Sequence, residues 1–145
     1  MKAVQAILAI LGRVMLCAIF LMAAVMNKIP QFSQVVEAMR GEGIPMPEVA
    51  LAGAIVFLLA GGVSVVLGYK ARLGALLLLV FLALATYYFH DFWNVSPENA
   101  KELQNEMAHF MKNAAMAGAM LFIIANGSGA GSLDGCCRKA VAKPS

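Results

Sequence analysis

The sequence predicts an all-α protein: a membrane four-helix bundle with an additional short amphipathic helix in the first external loop. Three observations carry the prediction. Of the 145 residues, 61% are hydrophobic and 13% are charged, against about half and a quarter in ordinary soluble domains. The apolar residues gather into four long stretches. Within each stretch they run on without alternating, which reads as helix and not as the strand of a membrane barrel.

The first stretch is Val4–Met26, interrupted by Gln5 and Arg13. The second, Val49–Leu67, and the third, Leu73–Phe89, contain no charge. The fourth is Ala114–Ala125, extended outward through Phe110 and Met111 across Lys112 and Asn113. A bilayer core of about 30 Å needs roughly 20 helical residues. The first two stretches reach that length, the third falls slightly short, and the fourth reaches it if Lys112 snorkels its ammonium to the surface. The first stretch is expected to remain as a span: its apolar run is long for a signal peptide, and Asn27-Lys28-Ile29-Pro30 follows it in place of a small-residue cleavage site.

The connecting segments carry structure of their own. Ile29, Phe32, Val36 and Met39 recur at helical spacing and predict the amphipathic helix, ended by Gly41, Gly43, Pro45 and Pro47. Ser96-Pro97-Glu98 reads as a helix start, with Ser as N-cap. Leu103, Met107, Phe110, Met111 and Ala114 continue one apolar stripe, so a single helix is expected from about Glu98 to Ala125. The small residues Gly53, Gly61, Gly62, Ala114, Ala115 and Gly118 are expected to let helices approach closely. The organisation read from this is a four-span domain over 1–126 and a flexible cytoplasmic tail over 127–145, beginning with the glycine-rich 127–135.

Lys and Arg set the orientation. The N-terminus, the 68–72 turn and the tail share one side and carry six of them, Lys2, Lys70, Arg72, Arg138, Lys139 and Lys143. The opposite loops carry four, Lys28, Arg40, Lys101 and Lys112. The positive-inside rule places both termini in the cytoplasm. A net charge of +3 is too small to suggest a polyanion, so no nucleic-acid partner is expected. Three Cys, with Cys136-Cys137 in a basic tail, do not make a disulfide framework.

Arg13 is the strongest functional hint. It lies ~13 Å along the first helix, where insertion of an Arg costs roughly 2.5–3.5 kcal/mol, and no Asp or Glu occurs in any span. It is expected to face the bundle, near the outward polar edges of the second and third spans, on carbonyls, hydroxyls, water or a ligand. The competing reading is a side chain that snorkels to cytoplasmic phosphates. His90-Asp91-Phe92-Trp93 ends the third span, with Tyr87, Tyr88 and Trp93 suited to an interface belt. His90 and His109 fall at similar depth, but no carboxylate-rich set or haem motif accompanies them, and no metal site is expected. Arg13, Lys28, His90, Lys112 and Asn113 are the candidate ligand-binding residues.

The ordered set of motifs resembles the DoxX family over nearly the whole chain. Leu11-Gly12-Arg13, Ile19-Phe20-Leu21 and Asn27-Lys28 are similar to that family's first helix. Gly61-Gly62 and Leu67-Gly68-Tyr69-Lys70-Ala71-Arg72-Leu73 are similar to its second helix and basic turn. His90-Asp91-Phe92-Trp93, Phe110-Met111-Lys112-Asn113 and Ser132-Leu133-Asp134 are similar to its third-helix end, fourth-helix start and tail. The resemblance implies a multi-pass protein of the bacterial inner (plasma) membrane, some members being named as small subunits of thiosulfate:quinone oxidoreductase. Members often carry an acidic residue just before the glycine pair, where this chain has Phe57-Leu58-Leu59-Ala60. Three readings compete: an accessory, non-catalytic subunit of a redox- or quinone-linked membrane complex, a quinone-binding oxidoreductase subunit, and a small lipid- or solute-binding or transport protein. Partners expected are membrane lipids and other subunits of a membrane complex. No cofactor is predicted, a quinone being the one that the resemblance admits.

Overall fold

A computed structural model describes residues 1–136. Cys137 and the basic residues Arg138, Lys139 and Lys143 lie outside the described residues. The described residues are mostly helical, with five principal helices: α1 (Lys2–Met22), α2 (Phe32–Gly41), α3 (Pro47–Leu67), α4 (Ala71–Phe89) and α5 (Ala100–Asn126). Four of them, α1 with the residues up to Lys28, α3, α4 and α5, are long and apolar enough to cross a membrane. The start of α1, the α3–α4 turn and residues 127–136 meet at one end of the bundle, here the near end. The 29–46 and 90–99 connections lie at the far end.

The hairpin of α3 and α4 forms the centre, with α1 packed on α3 and α5 on α4. Cys17 and Phe20 of α1, Leu58 and Val65 of α3, Leu78 and Leu82 of α4, and Met120 of α5 belong to one core. The hairpin is held by close backbone approach. A Cβ on Gly61 would sit 2.8 Å from the Gly74 carbonyl oxygen, and one on Gly74 would sit 2.6 Å from Ser64 Oγ. Gly62 serves α1 in the same way, since a Cβ there would press on Leu21. Among the described residues nothing lies within 4 Å of that position at Gly53 or Gly118, and Ala114 and Ala115 are exposed. Small residues at those four positions therefore do not bring helices together, contrary to expectation. Gly74, which does, was not singled out.

The far-end elements differ from the sequence reading in detail. α1 does not run straight to its end: Ala23–Lys28 is a π-helical turn, closed by the Ile29 amide on the Ala24 carbonyl at 3.0 Å. The predicted amphipathic helix is α2, which buries Val36 and Met39 against Leu51 of α3. Ile29 is outside it and half exposed. Arg40 of α2 donates to Glu37 and, at 2.7 Å, to Glu48 at the start of α3. Ser96 is not an N-cap: its carbonyl accepts from the Asn99 amide at 3.0 Å, closing a turn over Pro97. Helix α5 starts only after it, with Asn99 as N-cap.

The apolar stripe on α5 also turns out to face differently. Met107 and Met111 are exposed, while Asn113, Met120 and Ile123 are buried. In lipid the outside of a bundle is as apolar as its core, so an apolar stripe alone does not identify the buried face.

The glycine contacts yield a direct test. Gly61→Ala should lower stability by about 1–3 kcal/mol through overpacking against a backbone oxygen, whereas Gly118→Ala should leave it unchanged or raise it. Thermal unfolding of the two variants in detergent measures the contrast.

Candidate functional site

The five candidate side chains occupy four different places. Arg13 lies at the near end, 5% exposed. Helical side chains lean back toward the helix N-terminus, and Arg13 does so: its Nε donates to the Ala9 carbonyl at 3.3 Å. Its Nη2 donates to the Gly131 carbonyl at 2.8 Å, and its Nη1 abuts Gly68 so closely that no Cβ fits there. Nη1 is buried and has no hydrogen-bond partner among the described residues. The guanidinium thus faces the bundle on a backbone carbonyl, as expected, but beside the α3–α4 turn at the near end. The expected position by the outward edges of those helices is wrong, because the backward lean carries the head toward the start of α1.

The segment that meets Arg13 was expected to be a flexible exit. Residues 127–136 instead fold back over the near end. Gly131 lies against Ile10 and Ala6 of α1, and Ser132 is 4% exposed. The Asp134 amide donates to the Gly68 carbonyl at 2.9 Å. The Asp134 carboxylate accepts from the Lys70 and Ala71 amides at 3.0 and 3.4 Å, capping α4 where its dipole favours an anion. Ser64 Oγ donates to the Tyr69 carbonyl at 2.6 Å and completes the turn. Glycines 127, 129 and 131, all at positive φ, allow the reversal.

Lys28 is at the far end, half-buried, its Nζ 5.5 Å from the centroid of the Phe81 ring. It lines a cavity of about 570 Å³ between the π turn, α2, α3 and α4. That volume is in the range of small-molecule clefts. Asn27, Gln31, Gln34 and Tyr88 supply its polar atoms, and Leu51, Phe57, Phe81 and Leu84 much of its apolar wall.

His90 and Lys112 belong to a cluster where α4 ends on α5. The imidazoles of His90 and His109 stack with centroids 4.7 Å apart and planes 4° from parallel. His90 Nδ1–H donates to Glu106 at 2.9 Å. Lys112 Nζ donates to His109 Nδ1 at 3.0 Å, which places the His109 proton on Nε2. Among the described residues no three His, Cys, Asp or Glu come together to hold a metal ion. Deeper in the bundle Asn113, 6% exposed, donates to Thr86 Oγ1 at 2.9 Å and ties α5 to α4. Of the side chains that complete these places, Asp134, Glu106 and Gln34 were not assigned a role from the sequence. Glu106, His109 and Asn113 recur at helical spacing on one face of α5, and that polar stripe was the readable signal.

The near-end contacts predict that Arg13 holds the returning segment in place. In a variant with the native cysteines replaced, Ser132→Cys should react slowly with a maleimide. Adding Arg13→Met should raise the labelling rate about tenfold or more, with α-helical content unchanged by circular dichroism.

Comparison with known proteins bears on the same elements. The family model described as DoxX matches residues 8–91, from within α1 to the end of α4 and through the His90 corner. Inner membrane protein YphA of Escherichia coli (strain K12) is 29% identical over 132 residues, covering 91% of this chain and 91% of its own length. No solved structure matches. With four apolar helices in the order that the motifs predicted, and more than half of its length matched, the chain belongs to the DoxX family of membrane proteins.

Proposed function

We propose that the protein is an accessory, non-catalytic subunit of a redox- or quinone-linked complex in the inner (plasma) membrane, with both termini in the cytoplasm. Supporting the location are its four apolar helices and its similarity to a protein named as an inner membrane protein. One observation supports the accessory role: the buried side chains of Arg13 and Asn113, and the Asp134 carboxylate, tie parts of the fold together. Arg13 holds the Gly131 carbonyl, Asn113 holds Thr86, and Asp134 caps α4. Lys28, His90 and Lys112 do not converge with Arg13 on one centre where a reacting atom would need nucleophile, base and charge stabiliser together. Quinone-linked chemistry then resides on partner subunits, and this chain supplies a rigid four-helix surface for them within the bilayer.

Capture of a tagged protein from native membranes in mild detergent tests the role. Stoichiometric co-purification of redox subunits is the expected result. A solitary protein carrying its own haem or flavin absorbance overturns it. Orientation has a separate test in a background without native cysteines: a cysteine at Ser96 should react with an impermeant reagent from outside, and one at Ser145 should not.

A further inference from the structure

The cavity at the far end has the character of an amphiphile site. Among the described residues, Lys28 is the one charged residue on its lining and no acidic residue lines it. Among the described residues the Lys28 ammonium makes no hydrogen bond or ion pair, and its near neighbour is the face of Phe81. A helix from Lys2 to Lys28 rises roughly 40 Å at 1.5 Å per residue, which places Lys28 at the headgroup level of the far leaflet, since a bilayer with headgroups measures about 40–45 Å. Asn27, Gln31 and Gln34 lie at the same level. From there the wall continues between α3 and α4 along Gly53, Ala54, Phe57, Leu84 and Ala85. A Cβ at Gly53 meets nothing within 4 Å among the described residues, so the slot is open beside it.

A cation in such surroundings selects for charge. A half-buried ammonium without a carboxylate is stabilised by an anion much more than by a neutral acceptor, because the local dielectric is low. A quinone carbonyl offers only a hydrogen-bond acceptor. A zwitterionic phospholipid brings its own cation to compete for the phosphate. We propose that the cavity binds one anionic phospholipid of the far leaflet, its phosphate diester on Lys28, its glycerol and headgroup oxygens accepting from Asn27, Gln31 and Gln34, and an acyl chain in the slot between α3 and α4. This site stands whether or not the protein serves as an accessory subunit.

Native mass spectrometry of the purified full-length protein tests it, with phosphatidylglycerol, phosphatidylcholine and ubiquinone offered separately and in competition. One phosphatidylglycerol should be retained at least tenfold better than phosphatidylcholine. Lys28→Gln should lose that preference and Lys28→Arg should keep it. Gly53→Phe fills the slot without touching the charge, and should reduce phosphatidylglycerol retention at least tenfold. Equal retention of the two phospholipids, or retention by Lys28→Gln equal to that of the unaltered protein, overturns the proposal. So does displacement of phosphatidylglycerol by ubiquinone, which would assign the cavity to a neutral ligand.

Discussion

The close approach of α3 and α4 at Gly61 and Gly74 is the constraint on which the bundle depends. With no side chain on either residue, the backbone of one helix reaches Leu78 and the Gly74 carbonyl of the other. In lipid there is little hydrophobic gain from joining two helices, so this contact works through dispersion at short range. The hairpin then offers one flank to α1, where Gly62 receives Leu21, and another to α5, where Thr86 accepts from Asn113. Both outer helices are thus positioned by a central pair.

The two ends of that pair are finished in different ways. At the near end the turn is short, and its loose backbone groups are satisfied by residues brought from far along the chain. Asp134 receives the amides that open α4, and Arg13 is buried beneath the returning segment with a carbonyl for its Nη2. Arg13 and Asp134 at this end are both engaged within the fold. At the far end bulky residues, Phe57 on α3 and Phe81 on α4, line a cavity, and the π turn after α1 brings Asn27 and Lys28 to its rim. Lys28 there faces the cavity. Arg13 holds the returning segment, whereas Lys28 makes no hydrogen bond or ion pair among the described residues.

The polar residues of α5 follow the same logic. Glu106, His109 and Asn113 turn inward to neighbours on α4 or on their own helix, while Met107 and Met111 face outward. A lipid-facing surface has no polar partners to offer, so the polar stripe marks the inner face of such a helix more reliably than the apolar one.

Sequence alone determined the four spanning helices and their order, because a continuous apolar run of bilayer length has one way to satisfy its backbone. It also determined the short amphipathic α2, whose Val36 and Met39 keep helical spacing, and the inward burial of Arg13, from the cost of exposing a guanidinium to lipid. Only the tertiary structure decided which glycines carry contacts: Gly53 and Gly61 share a helix, and what differs is the neighbour each one meets. It also decided that 127–136 docks, although a glycine-rich segment reads as a loose linker. The partners that hold it, Arg13, Gly68 and Lys70, are distant in sequence, and local composition carries no record of them. The cavity around Lys28 belongs to the same class, being a space between four elements rather than a property of any one of them.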